Sequence, residues 1–261
     1  MISFLLKFKF LRNRVKFHFL HSYFKELQLT IPVGSGYYAQ LLESDSYDSF
    51  SEIFIQQEYS DFIPEEDLLT ILDIGANYGY FSLWIQSIRP KNKIHSTLVE
   101  PSTLCRRSLE KLVGSPQLQN RFQYLPRAIA DPKQSHVKFF DRSYMAGSIF
   151  ESDHKDSYFM ANTLKTSEVF STDSSSYDLV KCDIEGGEWN LLINYPSILQ
   201  KSKFLVMEWH SWHSGGGGFL QIEKKLTEIG FRTIKSSPPQ KAVGRDGEVG
   251  LFLAKNLNFQ N

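Results

Sequence analysis

The spacing of apolar residues changes period several times along the chain, and the changes mark out secondary-structure elements. Between residues 69 and 74, "LTILDI" is a short apolar run that fits a strand buried in a parallel sheet. "YFSLWIQSI" (80–88) has helical spacing, "IHSTLVE" (94–100) reads as a second strand, and "TLCRRSLEKLV" (103–113) as a helix with a basic outer face. "FQYLPRAIA" (122–130) holds a third strand and the turn after it, "HVKFF" (136–140) a short strand, and "GSIF" (147–150) a segment that can pair nearby. "YDLVKCDI" (177–184) and "FLVMEWH" (204–210) are further strands, separated by "EWNLLINYPSILQ" (188–200), helical at least in its first half. A helix with a glycine stop, "LQIEKKLTEIG" (220–230), precedes two last strands, "FRTIKS" (231–236) and "GLFLAKN" (250–256).

Strands alternating with helices predict a mostly parallel α/β sheet covered on both faces. The last two strands are joined by a loop without a helix, which predicts an antiparallel pair at one edge. Upstream, "SFSEIFIQQEYSDFIPEED" (49–67) places Phe50, Ile53, Phe54 and Tyr59 near helical spacing, with Pro64 closing the stretch. "IPVGSG" (31–36) is a turn-rich break. It divides the chain into an N-terminal extension, residues 1–35, and a main domain, residues 36–261.

Composition narrows the picture. The chain has 261 residues, 41% hydrophobic and 22% charged, which predicts a packed core. A formal net charge of zero argues against a general nucleic-acid binder. Two cysteines without metal-site spacing argue against a disulfide framework or structural zinc, and a reducing cytoplasm is the simpler setting. Charge is concentrated at one place: Lys7, Lys9, Arg12, Arg14, Lys16 and Lys25 interleave with phenylalanines and leucines, with no acidic residue among residues 1–25. The run is broken too often by charge to span a bilayer or to serve as a signal peptide. Two readings stand: peripheral contact with an anionic membrane, or an element packed on the main domain with its lysines in water.

An open α/β sheet binds ligands at the carboxyl ends of its strands. The first strand runs into Asp73-Ile-Gly75-Ala76-Asn77-Tyr-Gly79. Glycine serves where φ is positive or the backbone meets a ligand, and asparagine tolerates the same region. The spacing fails the dinucleotide fingerprint and lacks a P-loop lysine. Asp73 before the turn would repel a pyrophosphate and suits an ammonium group, while Glu100 at the next strand end can accept the hydroxyls of a ribose. Together they describe an amino-acid–nucleoside ligand, for which S-adenosylmethionine is the candidate. Further on, Asp183, Glu185 and Glu188 crowd the glycines at 186 and 187, and "MEWHSWH" (207–213) brings Glu208, His210 and His213 ahead of four glycines (215–218). His210 and then Asp183 are the candidate general bases. A divalent metal held by His210, His213, Glu208 and Asp183 is the alternative use of the same groups. The reading without a metal is the one adopted here.

These residues resemble the FkbM-type methyltransferases. The matching pieces are "FSEIFIQQEY" (50–59), "ILDIGANYGYFSL" (71–83), "LVEP" (98–101), "AIAD" (128–131) and "LVKCDIEGGEW" (179–189). Gly187 and Trp189 stand where the family more often has an alanine and an aliphatic residue. The resemblance implies a class I methyltransferase, Rossmann-like: a seven-stranded, mostly parallel sheet with an antiparallel last strand. It implies methyl transfer from S-adenosyl-L-methionine, usually to an oxygen of a sugar, glycan or other small hydroxylated metabolite. Asp73, Gly75, Ala76, Asn77 and Gly79 would then form the cofactor turn, Glu100 would hold the ribose, Ala128 and Ile129 would lie against adenine, and Asp183 and Glu185 would border the reacting centre. Two other classes remain to be separated from it by experiment: an NAD-linked oxidoreductase and a non-catalytic module that binds the cofactor. No run of the Asn/Asp-Pro-Pro-aromatic type, as in enzymes methylating nucleic-acid bases, follows Asp183.

Overall fold

The computed structural model describes residues 28–142, 147–151, 157–170, 176–212, 218–242 and 246–259. The basic segment 1–25, His213 and the glycines at 215–217 lie outside the described residues.

The described chain opens with a hairpin, β1 (Leu29–Gly34) and β2 (Tyr37–Leu41), paired antiparallel from Leu29 opposite Leu41. The hairpin crosses the expected division at residue 35. Ala39 and Leu41 are fully buried in the main core, so Leu29–Gly34 is tied to the body of the protein by pairing. The helical stretch expected over 49–67 is a chain of short pieces: α1 (Ser46–Phe50), a wider π-helical turn (Ser51–Gln56), and a 3₁₀ turn (Ser60–Phe62). Gln57, at a left-handed φ of 56°, stops the middle piece. Phe50 stacks on Phe54 at 4.9 Å and meets Tyr80 edge-on at 6.0 Å, which fixes the segment over the main domain.

The main sheet then follows: β3 (Thr70–Ile74), α2 (Tyr80–Ile88), β4 (His95–Val99), α3 (Arg106–Val113) and β5 (Phe122–Leu125). A two-stranded excursion, β6 (His136–Phe140) with β7 (Tyr158–Asn162), and a short α4 (Thr166–Val169) lead to β8 (Tyr177–Cys182). Ser148 bridges to Phe140, so the "GSIF" segment does pair beside β6. Helices α5 (Glu188–Asn194) and α6 (Pro196–Gln200) precede β9 (Ser202–His210). Pro196 opens α6 at a position where its missing N–H costs nothing, so the expected single helix is two. The chain closes with α7 (Phe219–Glu228), β10 (Phe231–Ser236), the two-residue β11 (Gln240–Lys241) and β12 (Glu248–Asn256).

The strand order is β10-β12-β9-β8-β3-β4-β5, with β11 added on β12. Strands β3, β4, β5, β8 and β9 run parallel, and β12 runs antiparallel between β9 and β10. The last strand is therefore the antiparallel one and lies one position in from the edge, with β10 outside it. Alternation along β9 shows how the sheet is buried: Phe204 and Val206 join the cluster under α2 and α3, while Leu205 and Met207 join the cluster under α5 and α7. Burial on both faces explains the near-continuous apolar runs. The order reverses between β3 and β8, and a cavity opens at the carboxyl ends there, as the topology of open α/β sheets requires. Among the described residues, no helix is long and apolar enough to cross a membrane.

Candidate active site

The cavity holds about 240 Å³ and is bordered by the turn after β3, the end of β4, the segment after β5, the end of β8 and the helical pieces at 49–59. Its first wall is the glycine turn. Gly75 and Ala76 donate their N–H groups to the Val99 carbonyl, at 2.9 and 3.1 Å, which bends the chain sharply across the strand ends. Gly75 has φ +71°, and a Cβ there would lie 1.7 Å from the Asp183 carbonyl oxygen. Asn77 takes φ 51°, the left-handed conformation expected of it. Gly79 serves packing instead. At φ +76° it caps α2, a Cβ would lie 2.5 Å from Leu112, and it does not border the cavity.

The second wall is Glu100. Its two oxygens accept from the backbone N–H of Asn77 (2.9 Å) and of Ser102 (2.8 Å), so the carboxyl is held in one orientation beside the turn. Burial pushes its pKa up to about 7, against the opposing pull of those two amides. Ala128 and Ile129 are buried and border the same cavity, with Ala128 fixed by backbone hydrogen bonds to Asn162 and Leu164.

Asp73 is not where the sequence reading placed it. It is fully buried, does not border the cavity, and accepts a hydrogen bond from the Ser82 hydroxyl of α2 at 2.8 Å. Its other oxygen lies 3.8 Å from the ammonium of Lys181. Sheet register accounts for this: Asp73 and Lys181 are paired neighbours on β3 and β8 and share the face of Ile71 and Leu179. Lys181 donates to the Gly75 carbonyl at 2.7 Å and lies 3.6 Å from Asp183. Burial pulls the Lys181 pKa down, but Asp183 and Asp73 outweigh it and the group ends above its ordinary value. The ammonium that Asp73 attracts is thus the protein's own. Lys181 went unnoticed in "LVKCDI" because a single lysine in an apolar run carries no periodic signal.

The third wall gathers carboxyls from distant segments. The Tyr59 hydroxyl is 3.2 Å from Asp183 Oδ2 and 3.3 Å from Glu208 Oε2. A phenol has one proton to give, so it donates to one of these carboxyls at a time. Burial and then the charge of Asp183 hold the Glu208 pKa well above its ordinary value. Glu52 is pushed up to about 8, by burial first and then by Glu58 and Asp183. Glu185 borders the cavity with φ 53°, an unusual conformation for a non-glycine residue, and its carbonyl accepts from Ser148 at 2.9 Å.

His210 departs from its expected role. It is 5% exposed and does not border the cavity. Its Nδ1 is 3.0 Å from Glu188 Oε1 and its Nε2 is 3.9 Å from Glu208. Burial lowers its pKa, but Glu188 more than reverses this and pushes it up to about 10. With Nδ1 against Glu188 and the ring away from the cavity, His210 is not placed to meet a substrate proton there. Asp183, Glu185 and His210 bring ligand-type atoms within 4.8 Å of one another.

A sheet with this order, one antiparallel strand inserted near the edge and a glycine turn facing an acidic strand end define a class I methyltransferase. The methyltransferase FkbM domain model matches residues 73–233, well over half of the chain, and the chain belongs to that family. No curated protein matches it in sequence. Among solved structures, the FkbM methyltransferase of Methylobacillus flagellatus KT is 13% identical with a TM-score of 0.49, over 74% of this chain and 45% of that one. TrmK of M. capricolum, solved with S-adenosylhomocysteine, is 11% identical with a TM-score of 0.46, over 78% and 69%. Magnesium protoporphyrin IX methyltransferase of Synechocystis PCC 6803, with the same ligand, is 9% identical with a TM-score of 0.45, over 81% and 83%.

Proposed function

We propose that the protein transfers the methyl group of S-adenosylmethionine to a hydroxyl oxygen of a sugar, glycan or other small metabolite. The observation that carries the donor half is Glu100, a carboxyl clamped by the amides of Asn77 and Ser102 at the cavity edge. Its remaining lone pairs suit the two hydroxyls of a ribose. In this reading Gly75, Ala76 and Asn77 supply the backbone edge for the donor, and Ala128 and Ile129 the adenine surface. Asp183 and Glu185 border the reacting centre.

The cofactor supplies a methyl on a sulfonium, a group reactive enough that the protein's work is alignment. Asp183 is the base of choice: it reaches the cavity, Tyr59 and Lys181 fix it from two sides, and it accepts the hydroxyl proton as oxygen attacks. His210 supports it from behind as a fixed positive charge.

Calorimetry with S-adenosylmethionine and NADH, followed by transfer of labelled methyl to a panel of hydroxylated sugars and glycans, tests the reading. Binding of the sulfonium donor, its loss in Glu100→Ala and label on oxygen are expected. Binding of NADH alone, or label only on amines, would refute it. The basic segment 1–25 is proposed as a peripheral membrane contact, and sedimentation with anionic vesicles of the full chain against a chain lacking it checks this.

A further inference from the structure

Lys181 is a cation with almost no exposure, at the midpoint of the sheet, and ordinary methyl transfer assigns it no task. Its environment is composite. Its ammonium donates to Gly75 in the cofactor turn, lies 3.8 Å from Asp73 beneath that turn and 3.6 Å from Asp183 on the reacting side. It also sits 6.0 Å from the Tyr59 ring and borders the cavity. Three elements, β3, β8 and the turn, therefore meet on one positive charge. A buried cation flanked by two carboxylates sets the net charge of this end of the cavity.

The donor and the product of methyl transfer differ by one charge at sulfur. S-adenosylmethionine is a sulfonium, and S-adenosylhomocysteine is a neutral thioether with otherwise the same groups. A site that is too negative holds the donor hard, and one that is too positive favours the product. We infer that Lys181 is a specificity-determining residue: with Asp73 as its partner, it sets how strongly the cavity prefers the sulfonium donor over the thioether product, while its bond to Gly75 holds the cofactor turn. This inference rests on the proposed donor site.

Charge alone makes the prediction, and it has two signs. Lys181→Met removes a positive charge and leaves two carboxylates. Asp73→Asn removes a negative charge and leaves the lysine facing Asp183 alone, while its amide oxygen can still accept from Ser82. The double variant Lys181→Met/Asp73→Asn restores the original balance without the bond to Gly75. Calorimetric Kd values for S-adenosylmethionine and S-adenosylhomocysteine at pH 7.5 give a donor-to-product preference for each protein.

Lys181→Met is expected to raise that preference roughly tenfold and Asp73→Asn to lower it roughly tenfold, the effect of one unit charge a few ångströms away in a partly screened site. The double variant is expected to return to within about threefold of wild type, although both ligands bind more weakly. A merely structural role would weaken both ligands together and leave the preference unmoved. An unmoved preference in the single variants overturns the inference, and so does loss of both ligands in Asp73→Asn, which would make Asp73 a direct anchor. If Lys181→Met does not fold, the sign of the change in Asp73→Asn decides alone. If wild-type protein binds neither ligand, the donor-site reading itself fails, a separable result.

Discussion

His210 Nδ1 and Glu188 Oε1 lie 3.0 Å apart, with both side chains all but inaccessible to water. The pair joins the end of β9 to the first turn of α5 and makes the histidine a structural cation. Its pKa rises from 6.5 to about 10 on folding. A raised pKa means that folding favours the protonated form, so the stabilisation is complete below pH 6.5 and is lost as pH rises through about 10. Urea melts at pH 6.5 and pH 10 should differ by a few kcal/mol, on the order of one per shifted pKa unit, and His210→Asn should remove most of that difference. An equal slope in the variant would show that the pair does not govern stability there.

Glu100 sets a second pH dependence, in binding. In the proposed donor site ribose hydroxyls would donate to the ionised carboxylate, and burial raises the pKa of this group to about 7. Affinity for S-adenosylmethionine should rise with pH through about 7 and level off above it. Glu100→Gln should lower affinity by about 10- to 100-fold, as expected for a lost charge-assisted hydrogen bond, and abolish that rise. Calorimetry between pH 5.5 and 8.5 reads both effects.

At Gly75 the effect is steric. A methyl group there would sit 1.7 Å from the Asp183 carbonyl, on a backbone with φ +71°. Gly75→Ala must push β8 away from the turn. It should cost on the order of 2–4 kcal/mol of stability and eliminate cofactor binding. Gly218→Ala, where an added methyl meets nothing within 4 Å, is the control and should leave the melting temperature within about 2 °C.

As the proposed base, Asp183 should separate binding from chemistry. Asp183→Asn keeps the shape of the side chain but removes the proton acceptor. It should leave S-adenosylhomocysteine affinity within about tenfold of wild type and reduce methyl transfer by about 10²–10⁴. Tyr59→Phe, which removes only the hydroxyl that orients Asp183, should reduce turnover less, by about tenfold. Equal turnover in Asp183→Asn and wild type would remove Asp183 from the mechanism.

Glu52, titrating near 8, adds a pH effect with the same sign as that of His210. Its neutral form is favoured on folding, so its stabilisation is present below pH 4.5 and fades as pH climbs to about 8. Glu52→Gln should flatten the melting temperature between pH 5 and 8, and differential scanning calorimetry measures this.

The sequence by itself determined the central parallel strands. "LTILDI", "YDLVKCDI" and "FLVMEWH" are apolar runs of strand length, and the parallel sheet, the cavity at its carboxyl ends and the glycine turn follow from their order and from residues that tolerate positive φ. The positions of Asn77 and Glu100 at the cavity were legible because each lies within a turn or a strand end that the local chain defines. Only the tertiary structure decided which side chains meet. Asp73 finds Lys181 across 108 positions, Tyr59 reaches Asp183 across 124, and His210 finds Glu188 across a helix and a strand. Periodicity reports which face of an element is buried, whereas the charge state and partner of a buried polar group depend on whatever the other elements bring against it. That is why Asp73 is buried against Lys181 and His210 against Glu188, both away from the cavity where they were expected.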